Sequence, residues 1–247
     1  MVLPVDPCKQ RKVSLNRLGV QIPLGALGEK MFEYQGVKIF WLGHSSFKIK
    51  NGKTIYIDPF QIKAQEVADI IFITHEHYDH CSKEDIEKVA TENTTIVTTK
   101  MVKAKLTGLK VGKILVVKPG DKLGINDVSF EVVTAYNVNK FRSPGVPFHP
   151  REDEKVGFII TIKSVGIYHT GDTDFIPQMK SIKADVILIP VSGTYVMTAE
   201  EAANAINTIN PKVAIPMHYS SIVGDEEDAR RFQKLAKCEV KILEREE

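Results

Sequence analysis

Residues 68–80 read ADIIFITHEHYDH, an unbroken apolar run that ends in a crowd of metal-ligand side chains. A short run rich in β-branched residues suits a strand buried on both faces, as in a parallel or mixed sheet covered by helices. Alternate residues of an extended chain point the same way, so His75, His77 and Asp79 share a face, and the turn into the following helix brings His80 around. Three imidazoles and a carboxylate at one strand end need something to neutralise and coordinate them. The cluster therefore reads as a metal site rather than a solvated loop.

Working outward, Ser82 caps the helix SKEDIEKVA with acidic residues in its first turn. Upstream, GVKIFWLGHSSFKIKNGKTIYIDPF (36–60) reads as strand, strand, turn, strand, with Asn51-Gly52 as a two-residue hairpin turn. Downstream, the strands TTIVTT, KILVVK, VSFEVVTAY, GFIITIK and GIYHTGD are expected, with a Pro- and charge-rich loop over residues 140–155. ADVILIP is a second buried strand, Thr198 and Glu201 form a capping box opening the helix AANAINTI, and strand KVAIPMHY, helix DEEDARRFQKLAK and strand EVKILE close the chain. Strands and helices interleave without a linker, so residues 31–247 are expected to form one domain after a basic arm over residues 1–30.

Three blocks recur in the same order. TIYIDP matches GIYHTGDT, setting Asp58 against Asp172, 114 residues apart; ADIIFIT matches ADVILIP at 116; TENTTIV matches TINPKVA at 117. The repetition predicts two duplicated halves, each a sheet with its helices, fused face to face. The expected fold is α/β, a four-layer αββα sandwich with a ligand cleft where the strand ends of the halves meet.

Composition narrows the class. With 247 residues, 33 Lys plus Arg, 31 Asp plus Glu and 43% hydrophobic residues, the chain is near neutral and able to bury a substantial core. Disorder and fibrous architectures are excluded, and charge gives no reason to expect nucleic acid or an anionic membrane as partner. Apolar runs are strand-sized, so no membrane-spanning helix is expected. The N-terminus lacks the apolar stretch of a secretory signal, and three widely spaced cysteines, Cys8, Cys81 and Cys238, fit free thiols; a cytoplasmic location is expected.

The HxHxDH pattern, the duplication and the length resemble the metallo-β-lactamase superfamily over most of the chain beyond the arm. The resemblance implies two divalent metal ions, zinc first, with manganese or iron as alternatives. His75 and His77 would serve site one, Asp79 and His80 site two, with Asp172 of GDTD bridging and His218 of IPMHYS as the last ligand. The third histidine of site one has no counterpart, because Asn137 of VVTAYNVNK stands there. Its amide oxygen is the weaker ligand, so this site is expected to be loose or vacant, with His149 of GVPFHPRED as a candidate substitute. The phrase WLGHSSF resembles the opening of a subgroup that includes ascorbate-6-phosphate lactonase, which makes His44 a substrate-pocket residue. Tyr195 in Ser192-Gly-Thr-Tyr195 is a second substrate candidate, and Asp58 is expected to hold the loop beneath the metals.

Such a centre serves hydrolysis, with Asp79 as ligand and proton acceptor in one. The expected activity is metal-dependent hydrolysis of a small metabolite, a lactone or a phosphate-bearing ester. A phosphodiesterase or nuclease of the same superfamily and a non-catalytic metal-binding protein are the alternatives. The expected partner is the small-molecule substrate, without nucleic acid or membrane, and a homo-oligomer is compatible with this reading.

Overall fold

The computed structural model describes residues 29–63 and 66–246, so the basic arm expected over residues 1–30 lies outside them except for its last two residues. The first sheet takes its strands in sequence order: β1 (Phe32–Tyr34), β2 (Val37–Gly43), β3 (Ser46–Lys50), β4 (Thr54–Ile57), β5 (Ile70–Ile73), β6 (Thr95–Thr98) and β7 (Lys113–Val116). Helices α1 (Lys83–Val89) and α2 (Lys100–Lys105) lie between β5, β6 and β7 in the chain. The first four strands run antiparallel and the last four parallel.

The second sheet repeats this plan. It comprises β8 (Lys122–Ile125) and β9 (Val128–Thr134), then, after a small hairpin of β10 (Phe141–Ser143) and β11 (Val146–Pro147), β12 (Val156–Ile162), β13 (Val165–His169) and β14 (Val186–Pro190). Helix α3 (Ala199–Ile209), β15 (Val213–Met217), helix α4 (Glu226–Leu235) and β16 (Glu239–Val240) complete it. Leaving the hairpin aside, its strand order and its switch from antiparallel to parallel pairing match those of the first sheet. The duplication is thus visible in topology.

The period-2 pattern explains the layering. On β5, Ile70 and Phe72 face the second sheet, where Phe72 meets the rings of Phe130 and Phe158 at 5.1 and 5.0 Å, while Ile71 and Ile73 face α1 and α2 with Ile86, Val89 and Val102. Strand β4 divides likewise, Ile55 and Ile57 inward and Tyr56 outward. On the opposite side, Ala202, Ile206 and Phe232 seat α3 and α4 on the second sheet. The result is a four-layer αββα sandwich. The capping box of Thr198 and Glu201 is formed on both sides, and Asp225 makes a similar one with Asp228 on α4.

Several sequence expectations shift. Lys50 pairs with Thr54, so Asn51, Gly52 and Lys53 make a three-residue loop in which only Gly52 has positive φ, rather than a two-residue turn. The two-residue reversal is Gln35-Gly36, with φ of 48° and 77°. Strand β8, Lys-Leu-Gly-Ile with its first three residues exposed, carries no period that sequence could reveal. EVKILE pairs as a strand only at Glu239–Val240; beyond it the chain crosses to the first sheet, where Glu246 N donates to Trp41 O at 2.8 Å. The repeat alignment also slips by two residues. Asp58 N donates to Phe72 O and Thr170 N to Leu188 O, so Thr170 is the strand equivalent of Asp58, and Asp172 lies two residues farther into the cleft. No helix among the described residues is long and apolar enough to cross a membrane.

Candidate metal centre

The C-terminal ends of β2, β4, β5, β9, β13, β14 and β15 bring their loops to one rim, the usual place for a site where sheets open. Non-glycine residues there that hold left-handed backbones include His44 (φ 50°), Asp58 (45°), Tyr195 (68°) and His218 (61°). His44 shows what this achieves, since its carbonyl accepts both the Trp41 indole N–H and His218 N–H, each at 2.9 Å. A glycine precedes Asp172 for a related reason: at φ 63°, a Cβ on Gly171 would lie 2.5 Å from Val156 O.

The ligand-type atoms fall into two groups, one of His75, His77 and His149 and the other of His44, Asp79, His80 and His218, and a third set, His75, His80 and Asp172, links them. Asp172 Oδ2 lies 3.4 Å from His149 Nε2 and 3.3 Å from His218 Nε2, and its Oδ1 lies 3.3 Å from His80 Nε2. The Nε2 atoms of His80, His149 and His218 and Oδ1 of Asp172 are buried without a hydrogen-bond partner. Buried polar atoms with nothing to bond are costly, and these converge on one place. His75 Nε2 and His77 Nδ1 stand 3.1 Å apart, near the ~3.3 Å edge expected of two nitrogens on one tetrahedral zinc with bonds of about 2.0–2.1 Å. A mixed nitrogen and carboxylate set suits zinc, manganese or iron. The residues fit a metal.

Four of the imidazoles, His75, His80, His149 and His218, are held from behind at Nδ1, which leaves Nε2 facing the cluster. Asp58, fully buried, accepts from Thr74 N (2.8 Å), Thr74 Oγ1 (2.6 Å) and His80 Nδ1 (2.7 Å). Thr74 Oγ1, its own proton given to Asp58, faces His75 Nδ1 at 3.0 Å. Ser192 Oγ is 3.0 Å from His218 Nδ1. His169 is the one histidine outside both groups; it accepts from Gly171 N at 3.2 Å and bonds Ser45 O at 2.9 Å, fixing the approach to Asp172.

Asn137 has both ends of its amide engaged within the protein. Its Oδ1 accepts from His149 N at 2.9 Å and from His149 Nδ1 at 2.8 Å, and its Nδ2 donates to Asp174 Oδ1 and Tyr195 O. The amide has no lone pair left for a cation, and it hands His149 to the place that sequence reasoning gave to Asn137 itself. Asp174, which also accepts from Val138 N and Asn139 N, fastens this loop. His44 is buried, belongs to the second group and meets Asp79 Oδ2 at 3.0 Å. Tyr195 is exposed at the rim, its ring against Phe148. Sequence reasoning missed Asp174, two residues past Asp172 in GDTD, and the buried Lys155, which pairs with Glu76 inside the main motif and with Asp153 at 3.4 Å.

The electrostatics favour a cation. Burial, with His80 adding to it, holds His75 well below its ordinary range, and burial depresses His149 to about 4. Burial opposes ionisation of Asp172, yet His80 and His218 hold it well below the carboxylate range. Burial likewise opposes a charge on His80, but Asp172, Asp79 and Asp58 raise it well above normal. Three carboxylates thus surround a point where positive charge is wanted. A hollow of about 1440 Å³ lies elsewhere, on the outer face of β8, β9 and β12, and none of these residues lines it.

Comparison with known proteins agrees with this picture. The family description "Beta-lactamase superfamily domain" matches residues 38–218. A protein of Archaeoglobus fulgidus named UPF0173 metal-dependent hydrolase is 31% identical over 221 residues, covering 82% of this chain and 91% of its own. A like-named protein of Methanosarcina barkeri is 31% identical over 228 residues, covering 84% and 95%. Among solved structures, a putative metal-dependent hydrolase of Parabacteroides distasonis superposes with a TM-score of 0.73 at 30% identity, covering 87% of this chain and 98% of its own.

Proposed function

From the premise that the chain belongs to the beta-lactamase superfamily and is a metal-dependent hydrolase, we propose that it holds two divalent ions and hydrolyses a small metabolite with a lactone or phosphate-bearing ester bond in the cytoplasm. His75, His77 and His149 would hold one ion, Asp79, His80 and His218 the other, with Asp172 reaching both. Zinc suits the imidazole-rich donors best, and manganese or iron are the alternatives. The observation that carries this reading is the convergence of three buried, unpartnered Nε2 atoms and a buried carboxylate oxygen at Asp172.

Bound there, the ions supply Lewis acidity and make water acidic enough to attack near neutral pH. The protein supplies the proton path and the orientation. Asp79 is ionised, held to about 2 against its burial by His80 and the His44 hydrogen bond. His44 Nε2 fixes Asp79 Oδ2, which leaves Oδ1 to take the proton of the attacking water and pass it to the leaving oxygen. Asp58, Thr74, Asn137 and Ser192 keep the imidazoles from rotating, so little reorganisation is needed when charge develops.

The test is metal analysis joined to an activity screen of the reconstituted protein against lactones, phosphomonoesters, phosphodiesters and thioesters. One to two equivalents of tightly held metal and turnover in one class are expected. Metal content below half an equivalent in wild type and His77→Ala alike would overturn the reading.

A further inference from the structure

Eleven large apolar side chains are exposed among the described residues, and six of them sit on the loops that carry the metal cluster. Tyr78, 65% exposed, stands between His77 and Asp79; Val138 follows Asn137; Phe141 and Val146 lie on the hairpin that leads into His149; Tyr195 gives its carbonyl to Asn137; Ile222 is in the loop after His218. Scattered exposed apolar residues need no explanation, but a concentration around one buried polar centre does.

The rings form two walls. On one side Phe60 meets the His44 ring edge-on at 6.1 Å and the Tyr78 ring at 5.8 Å. On the other, Phe148 meets Tyr195 at 4.7 Å, and Phe148 directly precedes His149. Tyr195 is placed by a left-handed backbone, φ 68°, whose carbonyl is tied to Asn137 at 2.9 Å. The same hydrogen-bond system that aims His149 thus sets one aromatic wall. The charges within the rim point the same way. Lys140 is matched by Glu201 at 2.6 Å and Asp174 at 3.8 Å, and the buried Lys155 by Glu76 and Asp153. Lys105, whose Nζ donates to Glu76 O at 2.6 Å, and the exposed Arg142 of β10 are what remain for a phosphate group.

We propose that the substrate is an uncharged ester or lactone whose hydrolysable carbonyl bears a flat apolar group, held between the Phe60–Tyr78 and Phe148–Tyr195 walls. This rests on the hydrolase reading above and narrows it. The water oxygen bonds to the carbonyl carbon, the bond from that carbon to the alcohol oxygen breaks, and a water proton ends on that oxygen. The products are a carboxylic acid and an alcohol, and no oxidant is needed.

The test has a binding arm and a kinetic arm on zinc-loaded protein. In calorimetric titration, 1-naphthylacetate, a product-like probe, is expected to bind at least tenfold tighter than acetate. Tyr195→Ala is expected to abolish most of that preference while metal content stays at the wild-type value, and Tyr78→Phe to retain it. Equal affinity for the two anions, or a preference unmoved in both Tyr195→Ala and Phe148→Ala, overturns the proposal. In the kinetic arm, α-phenyl-γ-butyrolactone, which keeps the same alcohol leaving group, is expected to exceed γ-butyrolactone in kcat/KM by tenfold or more. Faster turnover of 4-nitrophenyl phosphate than of either lactone overturns the substrate class and leaves the hydrolase reading intact. Metal-loaded protein that shows the naphthyl preference but turns over nothing overturns the hydrolase reading instead.

Discussion

Asn137 Oδ1 accepts from His149 Nδ1 at 2.8 Å, and this one contact turns the Nε2 of His149, and not the Asn137 amide, toward the cluster. Ligand strength alone says that histidine at position 137 would tighten the site. The geometry says the reverse, because His149 already points its free Nε2 inward and needs a fixed acceptor behind it. Asn137→Ala and Asn137→His are both expected to weaken binding at the His75, His77 and His149 group, by ~10–100-fold as for other orienting partners. Chelator competition on the purified variants measures this, and tighter binding in Asn137→His would return the ligand role to that position.

Asp58 supports the other group in the same way, and it is more deeply embedded. It satisfies Thr74 N, Thr74 Oγ1 and His80 Nδ1 at once, with no exposure of its own. Asp58→Ala leaves buried donors unpaired at about 1–3 kcal/mol each, which is on the order of 10 °C in Tm for a domain of this size. Thermal unfolding of the metal-free protein isolates that cost from metal loss. A Tm within about 2 °C of wild type would show that water reaches and satisfies these groups.

How much of this was legible in the sequence follows from what makes a residue visible there. The strand ADIIFIT and the ligand run after it announce themselves by local period and spacing, and Asp172 and His218 by their place after later strands. Topological duplication was legible because apolar strands repeat, yet the two-residue slip at Asp58 was not, since register depends on backbone pairing between strands far apart in sequence. His149 was the hardest. It reaches the centre over the β10–β11 hairpin, whose exposed strands carry no hydrophobic pattern, and only its contact with Asn137 reveals its direction. The partner of His44 is not legible either, because nothing local shows that Asp79, 35 residues away, lies 3.0 Å from its ring.

Removing the proton acceptor separates chemistry from metal binding. Asp79→Ala is expected to lose hydrolysis of any substrate found, while His75, His77 and His149 still retain at least one equivalent of metal. Asp79→Asn keeps the shape and the His44 contact but cannot take a proton, so it is expected to be equally inactive. Turnover within tenfold of wild type in either variant would remove Asp79 from the role given to it.

Away from the cleft, Asp85 gives a pH dependence of stability that needs no metal. Its carboxylate is nearly buried and accepts from Gln61 N (2.7 Å), Ile62 N (3.1 Å), Ser82 Oγ (2.6 Å) and Lys88 Nζ (2.8 Å). Burial raises its affinity for a proton, but the Lys88 and Ser82 hydrogen bonds and the Gln61 N–H outweigh this and lower its pKa. A folded pKa below the unfolded value near ~3.9 means the unfolded chain takes up the proton first as pH falls. The contribution is therefore complete above the unfolded value and is lost as pH drops through the lower, folded one. Urea unfolding of Asp85→Asn is expected to show lower stability than wild type at pH 7 and a gap that closes toward pH 3. A gap independent of pH would mean that the amide loses only a hydrogen bond and that the charge of Asp85 contributes nothing.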